Sequence, residues 1–374
     1  MDKKVVTLTT NTYSRAYMLK GRLESEGIEC FLTNVNLIQP NVSYGVKVRI
    51  FEEDLPKASE ILEEIEKEYG SEDIDSSKDI YKVERILVPV DFSDYSMNAC
   101  VFSLHLAFVL KANIKLFHAF FNPMMDAMTF PDAFTYQSNM AEVYQELEKK
   151  AKADMATFVK KLKKYAKEQN LGDISITKSL VAGQPYDEII SMIKSYKPGV
   201  VILGTRGEGK KPDEMIGGVT SKILESPVID IPILVVPQTA KINRIGHVNI
   251  LYATNFDKTD YEAIRKLMAV VSNLEVSIYC VHFSTDEKNI SLNKANMEEL
   301  RNYFRQAYKQ YTVECSIIES NDVIPAMENF IREKEIDIIS ITHKKRNMLY
   351  RLFNPGIAKK LLFRTDKPVL IFHS

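Results

Sequence analysis

The chain contains an internal repeat, because similar apolar strand segments recur in the same order. The first set comprises 85–93, 116–120, 199–203 and 231–237, and the second comprises 247–257, 278–283, 336–342 and 367–372. A repeat of this length is a structural unit that the chain uses twice. The sequence therefore predicts two similar domains in tandem, at 81–240 and 246–374.

Strands alternate with helical segments through 81–240, which indicates an α/β domain with right-handed crossovers. The run at 86–90 is apolar without alternation, as is typical of a parallel strand that is buried on both faces. The predicted fold class is α/β, with two tandem doubly wound parallel-sheet (Rossmann-like) domains.

A different pattern of strand, helix, strand, strand and helix occupies residues 1–69. The segment 46–50 alternates strictly, and an apolar stripe over 55–65 predicts the closing helix. This pattern predicts a small α+β, ferredoxin-like βαββα domain. The polar, acidic stretch 70–80 is interpreted as a linker.

The segment 201–220 carries most of the sequence evidence for a binding site. A buried strand ends at Gly204, and four further glycines follow by residue 218, where a helix is predicted to begin. Exposed backbone N–H groups and a helix N-terminus suit a phosphate group. The segment is not a Walker A motif, because no Ser or Thr follows Lys210 or Lys211 at the required place.

Composition narrows the choice of function. The 374 residues have a formal net charge of −1, so bulk charge predicts neither nucleic acid nor an anionic membrane surface as a partner. No apolar run approaches the ~20 residues of a spanning helix. The four cysteines lack metal-ligand spacing and are interpreted as reduced, buried hydrophobes. These features predict a cytoplasmic protein without a structural metal.

Two resemblances follow from these motifs. The strand I-L-V-P-V-D-F-S, the strand L-F-H-A-F, and the glycine spacing G-x2-G-x9-G followed by V-T-S-K-I-L are similar to the universal stress protein family over 84–237. Residues 246–374 carry the same frame without the glycine pattern. Residues 4–66 resemble a family of small "putative signal transducing" domains, whose polar face we interpret as solvated or as a docking surface.

The first resemblance implies an adenine-nucleotide site that binds ATP, with or without Mg²⁺. The predicted nucleotide-binding residues are Pro89, Val90, Asp91, Ala119, Leu203, Gly204, Arg206, Gly207, Gly217, Gly218, Val219 and Thr220. Arg206, with Lys210 and Lys211, is equally well explained as part of a solvated basic loop. Asp91 would accept hydrogen bonds from adenine or ribose, and the glycines and Val219 would present N–H groups to phosphates. Gly218 departs from the family pattern, which has Ser or Thr there. The loss of one hydroxyl donor is worth about 0.5–1.5 kcal/mol.

The second repeat has lost this pattern. Asn255 stands where Asp91 stood, and the segment 342–347 replaces the start of the glycine loop. We interpret the second repeat as a degenerate domain that pairs with the first as an internal pseudo-dimer. The alternative is a separate anion site built from the cations at 343–346. The histidines His118 and His282 are interpreted as satisfied strand-end residues.

The favoured hypothesis is a regulatory stress-response protein that binds an adenine nucleotide and acts through a protein partner that the sequence does not identify. Met and Phe residues in 122–138 would form a lid over the site, ordinary packing or a homodimer contact. One alternative is a nucleotide-free scaffold, and another is a slow ATP hydrolase. Efficient turnover is not predicted, since no nucleophile–base pair is identifiable.

Overall fold

The structure is a computed structural model. It describes residues 4–11, 16, 19–20, 22–24, 26–33, 46–69, 81–122, 137–206, 217–242, 247–256, 260–284, 290–343 and 365–373. The chain divides into two compact units, Met1–Ile80 and Tyr81–Ser374. Both α/β repeats lie in the second unit.

The first unit contains a three-stranded antiparallel sheet in the order β1–β3–β2. Its elements are β1 (Val5–Asn11), β2 (Cys30–Thr33), β3 (Val46–Phe51) and α1 (Leu55–Tyr69). The described residues between 16 and 24 are helical. Leu19, Leu23 and Ile50 are fully buried. The apolar side chains on one face of β3 therefore pack with those of the helical residues in one shared core.

The second unit is built on one ten-stranded sheet. The strands of the first repeat are β4 (Arg85–Pro89), β5 (Asn113–Phe120), β6 (Ile176–Ala182), β7 (Val200–Gly204) and β8 (Ile233–Val236). Those of the second are β9 (His247–Ala253), β10 (Glu275–Ser284), β11 (Thr312–Glu319), β12 (Ile338–His343) and β13 (Val369–His373).

The helices connect these strands as the repeat predicts. They are α2 (Asp94–Leu110), α3 (Gln137–Glu168), α4 (Pro185–Tyr196) and α5 (Gly218–Leu224) in the first repeat, and α6 (Asp260–Val270), α7 (Ile290–Ala307) and α8 (Val323–Glu333) in the second. Ser93 caps α2 and Asp322 caps α8, each by accepting a backbone N–H in the first turn.

The full strand order is β11–β10–β9–β12–β13–β8–β7–β4–β5–β6. Pairing is parallel within each repeat, and each repeat has the doubly wound order, which reverses direction beside its first strand. These features confirm the predicted fold class.

The repeats meet where β8 pairs antiparallel with β13, with Leu234 opposite Leu370. An ion pair adds to this seam, because Lys266 of α6 lies 3.0 Å from the Asp230 carboxylate of the first repeat. Lys266 is only 5% exposed, and this carboxylate offsets part of the cost of burying the side chain. One sheet therefore runs through both repeats, which explains why they form a single compact unit.

Candidate functional site

A cavity of about 630 Å³ lies at the carboxyl ends of β4, β5 and β7. The strand order reverses between β4 and β7, which is where ligands bind in open α/β sheets. The volume falls in the range of small-molecule sites. The sequence-predicted residues that line it are Pro89, Val90, Asp91, Ala119, Leu203, Gly204, Arg206, Gly217, Gly218, Val219 and Thr220.

The remaining predicted residue, Gly207, lies outside the described residues. The same holds for Lys210 and Lys211, and for nearly all of the candidate lid segment 122–138. The candidate anion site at 343–346 also falls largely outside the described part of the chain.

Asp91 follows the end of β4, and a tight local network fixes its carboxylate. Its Oδ1 accepts hydrogen bonds from the Ser93 N–H at 3.2 Å and from the Ser93 hydroxyl at 2.6 Å. Ser93 Oγ in turn accepts the Ser96 N–H at 3.3 Å, which begins α2. The turn that starts the helix therefore holds Asp91 in one orientation. A carboxylate has about four acceptor positions, so Asp91 can also accept from a ligand.

The end of β5 supplies a second wall of the cavity. The Nδ1 of His118 lies 2.7 Å from the Val90 carbonyl oxygen, so Nδ1–H donates to that oxygen. The His118 ring packs on Phe92, with ring centroids 4.3 Å apart. The interpretation of His118 as a satisfied strand-end residue is confirmed, and the ring also borders the cavity. Ala119 beside it has only a methyl group, which leaves room above the strand.

Gly204 is required by packing inside the protein. A Cβ atom at this position would lie 2.9 Å from the backbone carbon and oxygen of Tyr95, at the start of α2. A side chain would therefore drive α2 away from β7. The sequence suggested that Gly204 serves to bind a phosphate. In the structure, the close approach of the Tyr95 backbone is a separate reason for a glycine at this position.

Two of the predicted nucleotide-binding residues form hydrogen bonds that anchor α5. The Gly217 N–H donates to the Thr205 carbonyl oxygen at 2.9 Å, and the Thr220 hydroxyl donates to the Gly204 carbonyl oxygen at 2.9 Å. In this structure the Gly217 N–H is bonded within the protein, and its role at a phosphate stays a prediction. The donors that remain at this end of α5 are the first helical N–H groups, since these lack intrahelical partners.

Gly218 differs from Gly204 in its surroundings. A Cβ atom built on Gly218 would meet no atom of the described residues within 4 Å. The residue is exposed and opens α5. A serine would therefore fit at this position without displacing its neighbours.

Charges of both signs surround the cavity. Arg206 follows β7 and is half-buried, while Lys222 on α5 and Asp187 on α4 are exposed. A long cationic side chain such as Arg206 can pair with phosphate oxygens through its planar guanidinium group. Three described hydroxyls also border the cavity, and each has a partner: Ser96 bonds Ser93, Thr220 bonds Gly204, and Tyr186 bonds Ser226.

The start of α4 forms a further wall of the cavity, which was not predicted from the sequence. Gln184, Pro185, Tyr186 and Ile189 line the cavity, and the Tyr186 hydroxyl lies 3.1 Å from Ser226 Oγ at the end of α5. The signal was present, since the Gly-Gln-Pro turn directly follows β6 at the same edge of the sheet.

The corresponding edge of the second repeat contains larger side chains. Phe256 has the same left-handed backbone as Phe92, and His282 bonds the Thr254 carbonyl oxygen at 2.9 Å as His118 bonds Val90. This register places Phe283 at the position of Ala119, where Phe283 is 6% exposed. The methyl group that leaves room in the first repeat is therefore a buried phenyl ring in the second.

A buried hydrogen-bond network occupies the second repeat at the position of Gly204. The strand registers place Thr342 there. The Asp260 carboxylate accepts from the Tyr252 hydroxyl at 2.7 Å, from the Thr254 hydroxyl at 2.6 Å and from the Thr342 hydroxyl at 3.3 Å. Burial and the Asp260 charge raise the pKa of Tyr252, so its hydroxyl stays protonated and donates.

The described residues contain neither a metal-binding cluster nor a membrane-spanning helix. No group of three or more His, Cys, Asp or Glu side chains in this part of the chain is arranged to hold a metal ion. Likewise, none of the described helices combines the length and apolar character that a membrane crossing needs.

Comparisons with known proteins agree with the fold. Residues 82–237 match the universal stress protein family, and residues 5–66 match the family described as "Putative prokaryotic signal transducing protein". The two resemblances inferred from the sequence are thus confirmed as family matches over these residues. A comparison with curated proteins gave no match.

Similar solved structures include universal stress proteins. One, from Archaeoglobus fulgidus, is 17% identical with a TM-score of 0.53, and the alignment covers 78% of this chain and 98% of that chain. Another, described as a universal stress protein in complex with cAMP, is 17% identical with a TM-score of 0.29, covering 42% of this chain and 98% of that chain. At this identity the first likeness shows the fold alone.

Proposed function

We propose that the first α/β repeat, residues 81–240, binds ATP or a related adenine nucleotide in the cavity, and that occupancy of the site regulates a stress response. The observation that carries this proposal is the cavity itself. It lies at the switch point of the sheet and brings Asp91, Ala119 and the start of α5 to one space.

The lining suggests how a nucleotide would be held. Ala119 and Leu203 offer an apolar surface for the base, and the fixed carboxylate of Asp91 offers acceptors for ribose or adenine groups. The N–H groups of Gly218 and Val219, together with Arg206, would receive the phosphates. Mg²⁺ would then be held by phosphate oxygens, since the described lining residues include no cluster of ligands for it.

Regulation is proposed in preference to catalysis because the described hydroxyl groups at the cavity are engaged in hydrogen bonds within the protein. Each hydroxyl that lines the cavity already bonds a neighbour, and His118 directs Nδ1–H to the Val90 carbonyl oxygen. Efficient attack on a phosphoryl group needs a nucleophile or water positioned by a base. We therefore expect hydrolysis to be slow or absent.

The seam between β8 and β13 supports a related proposal, that the two repeats act as an internal pseudo-dimer. In this arrangement the second repeat supplies a partner for the sheet, and the first repeat supplies the binding site. The small unit at 1–69 would then sense a signal or dock a protein partner.

The test is calorimetric titration of the full chain with ATP, ADP and cAMP, with and without Mg²⁺. The matched variant is Ala119→Phe, which copies into the first repeat the residue that the second repeat has at Phe283. We expect a Kd in the micromolar range for the native chain and at least about tenfold weaker binding in the variant, a difference of about 1.4 kcal/mol. Thermal unfolding of both proteins controls for misfolding.

Either of two results would overturn the proposal. The native chain could bind none of the three nucleotides at millimolar concentration, which would favour the nucleotide-free scaffold. Alternatively, a folded Ala119→Phe variant could bind as tightly as the native chain, which would place the nucleotide elsewhere.

A further inference from the structure

Two cysteines lie side by side in the second repeat, away from the cavity described above. Cys280 on β10 pairs in register with Cys315 on β11, and the strands are parallel. Residues paired in this way project to the same face of the sheet, with adjacent strands about 4.8 Å apart. That spacing falls within the ~4.4–6.8 Å between Cα atoms that a disulfide allows.

The two thiols differ in their surroundings. Cys280 is fully buried, whereas Cys315 is partly exposed on β11, the edge strand of the sheet. Cys315 also lines a cavity of about 220 Å³ together with Arg301, Arg305 and Lys309. A small molecule in this cavity would therefore reach the Cys315 sulfur from a cationic side.

This environment favours a thiolate at Cys315. The pKa of Cys315 is lowered by a hydrogen bond from the Cys280 thiol and, to a smaller extent, by the charges of Arg301 and Arg305, against the opposing effect of burial. The pKa of Cys280 is raised by the same hydrogen bond and by its burial. The thiolate is the reactive form of cysteine.

We propose that Cys315 and Cys280 form an oxidation site for small hydroperoxides, in which Cys315 is oxidised first and Cys280 then closes a disulfide between β10 and β11. The two cysteines lie on β10 and β11, the outer strands of the second repeat, whereas the cavity lies in the first repeat. Their oxidation therefore does not require a nucleotide in the cavity.

The chemistry takes place in two balanced steps. The Cys315 thiolate attacks one peroxide oxygen, the O–O bond breaks, and a sulfenic acid forms while the departing hydroxide takes a proton to become water. The Cys280 sulfur then attacks the Cys315 sulfur, the S–O bond breaks, and the hydroxide leaves with the Cys280 proton as a second water. One peroxide is reduced, and two thiols are oxidised to one disulfide.

The other cysteines provide internal controls. Burial raises the pKa of Cys30 to about 11, and burial also raises the pKa of Cys100, which is fully enclosed on α2. Neither lies beside a second cysteine among the described residues, so neither is set up for the same reaction.

The experiment treats the reduced full chain with a small excess of hydrogen peroxide, followed by intact-mass measurement and peptide mapping. We expect the loss of two hydrogen masses and a linked peptide pair that contains Cys280 and Cys315. Cys315→Ser should abolish the product, and Cys280→Ala should stop at a sulfenic acid that dimedone traps. Cys100→Ser should behave like the native chain.

A second measurement does not depend on the buried variant folding. The rate of iodoacetamide alkylation at Cys315 is followed against pH in the native chain and in Arg305→Gln. We expect the profile of the variant to move to higher pH, with a rate at least about twofold lower at pH 7, because the thiolate fraction falls. The proposal is overturned if peroxide leaves the intact mass unchanged, if Cys315 links to another cysteine, or if Cys315 alkylates no faster than Cys100.

Discussion

The two α/β repeats share one frame and differ at the edge where a ligand would bind. In the first repeat Ala119 and Gly204 are small, and a cavity lies above the strands. In the second repeat Phe283 and Thr342 stand at these positions. Phe283 is buried, and the Thr342 hydroxyl donates to the Asp260 carboxylate. The comparison shows that a few side chains at the strand ends determine whether this edge of the sheet has room for a ligand, although the strand order is the same in both repeats.

The largest expected effect tests the network of the second repeat. Asp260→Ala leaves the hydroxyls of Tyr252, Thr254 and Thr342 without their carboxylate acceptor in a buried place. We expect the free energy of unfolding to fall by about 3 kcal/mol, because unsatisfied buried groups are costly. Urea denaturation measures the change.

The matched control for this variant is Ser96→Ala, at the equivalent position of the first repeat. The Ser96 hydroxyl makes one hydrogen bond to a backbone carbonyl, at 2.9 Å. We expect a loss of about 1 kcal/mol there. Equal losses in the two variants would contradict the idea that Asp260 organises a network.

The next largest effect is expected at Asp91, the acidic residue at the end of β4. Asp91→Asn gives the first repeat the residue that the second has at Asn255, and it keeps an oxygen that can accept from Ser93. We expect ATP affinity to fall by a factor of about 10 to 150, since a hydrogen bond to a charged group is worth about 1.5–3 kcal/mol. Isothermal titration calorimetry measures it, and the reverse change Asn255→Asp should leave affinity unaltered.

A gain of function is expected at Gly218. Gly218→Ser restores the hydroxyl that the family pattern has, and the structure leaves space for it. We expect ATP to bind about fivefold more tightly, which corresponds to about 1 kcal/mol from one added hydrogen bond. Gly204→Ser serves as the contrasting variant, because its side chain would collide with the Tyr95 backbone and lower stability. Unchanged or weaker affinity in a folded Gly218→Ser protein would argue against phosphate at this helix start.

The smallest expected effect concerns pH. Burial lowers the pKa of His282, and its bond to the Thr254 carbonyl opposes this only in part. The folded state therefore binds fewer protons than the unfolded chain, whose His pKa is about 6.5. The stability from His282 is complete above that pH and is lost as pH falls through the folded pKa, by less than about 1 kcal/mol.

The measurement is the free energy of unfolding between pH 7.5 and pH 5, together with an NMR titration of the imidazole. His105 adds to the same slope, because burial also lowers its pKa. His282→Gln should flatten part of the slope and leave the His105 part. A His282 resonance that titrates at or above the ordinary histidine value would refute this account.

Much of the fold was predictable from local pattern. Continuous apolar runs such as 86–90 mark strands that are buried on both faces, and the repeat identified the second set of strands. The prediction of an adenine-nucleotide site rested on spacing, and eleven of its residues do line one cavity. Their role in binding a nucleotide stays a prediction.

Other features could not be predicted, because they depend on contacts between distant parts of the chain. Spacing cannot reveal that the Tyr95 backbone approaches Gly204 within 2.9 Å, or that Thr220 bonds the Gly204 carbonyl oxygen. The interpretation of all four cysteines as buried was wrong for Cys315, which is partly exposed. Its pairing with Cys280 depends on the register of two strands that are separated by helix α7.

The antiparallel pairing of β8 with β13 has a consequence for binding stoichiometry. Two identical subunits joined across such a seam would carry identical pockets by symmetry, and one pocket could influence the other. Here a single chain supplies both halves, so assembly of the sheet does not depend on protein concentration and the halves are free to diverge. With one nucleotide bound per chain, saturation would follow a simple hyperbola, and the protein would report nucleotide concentration in a graded manner.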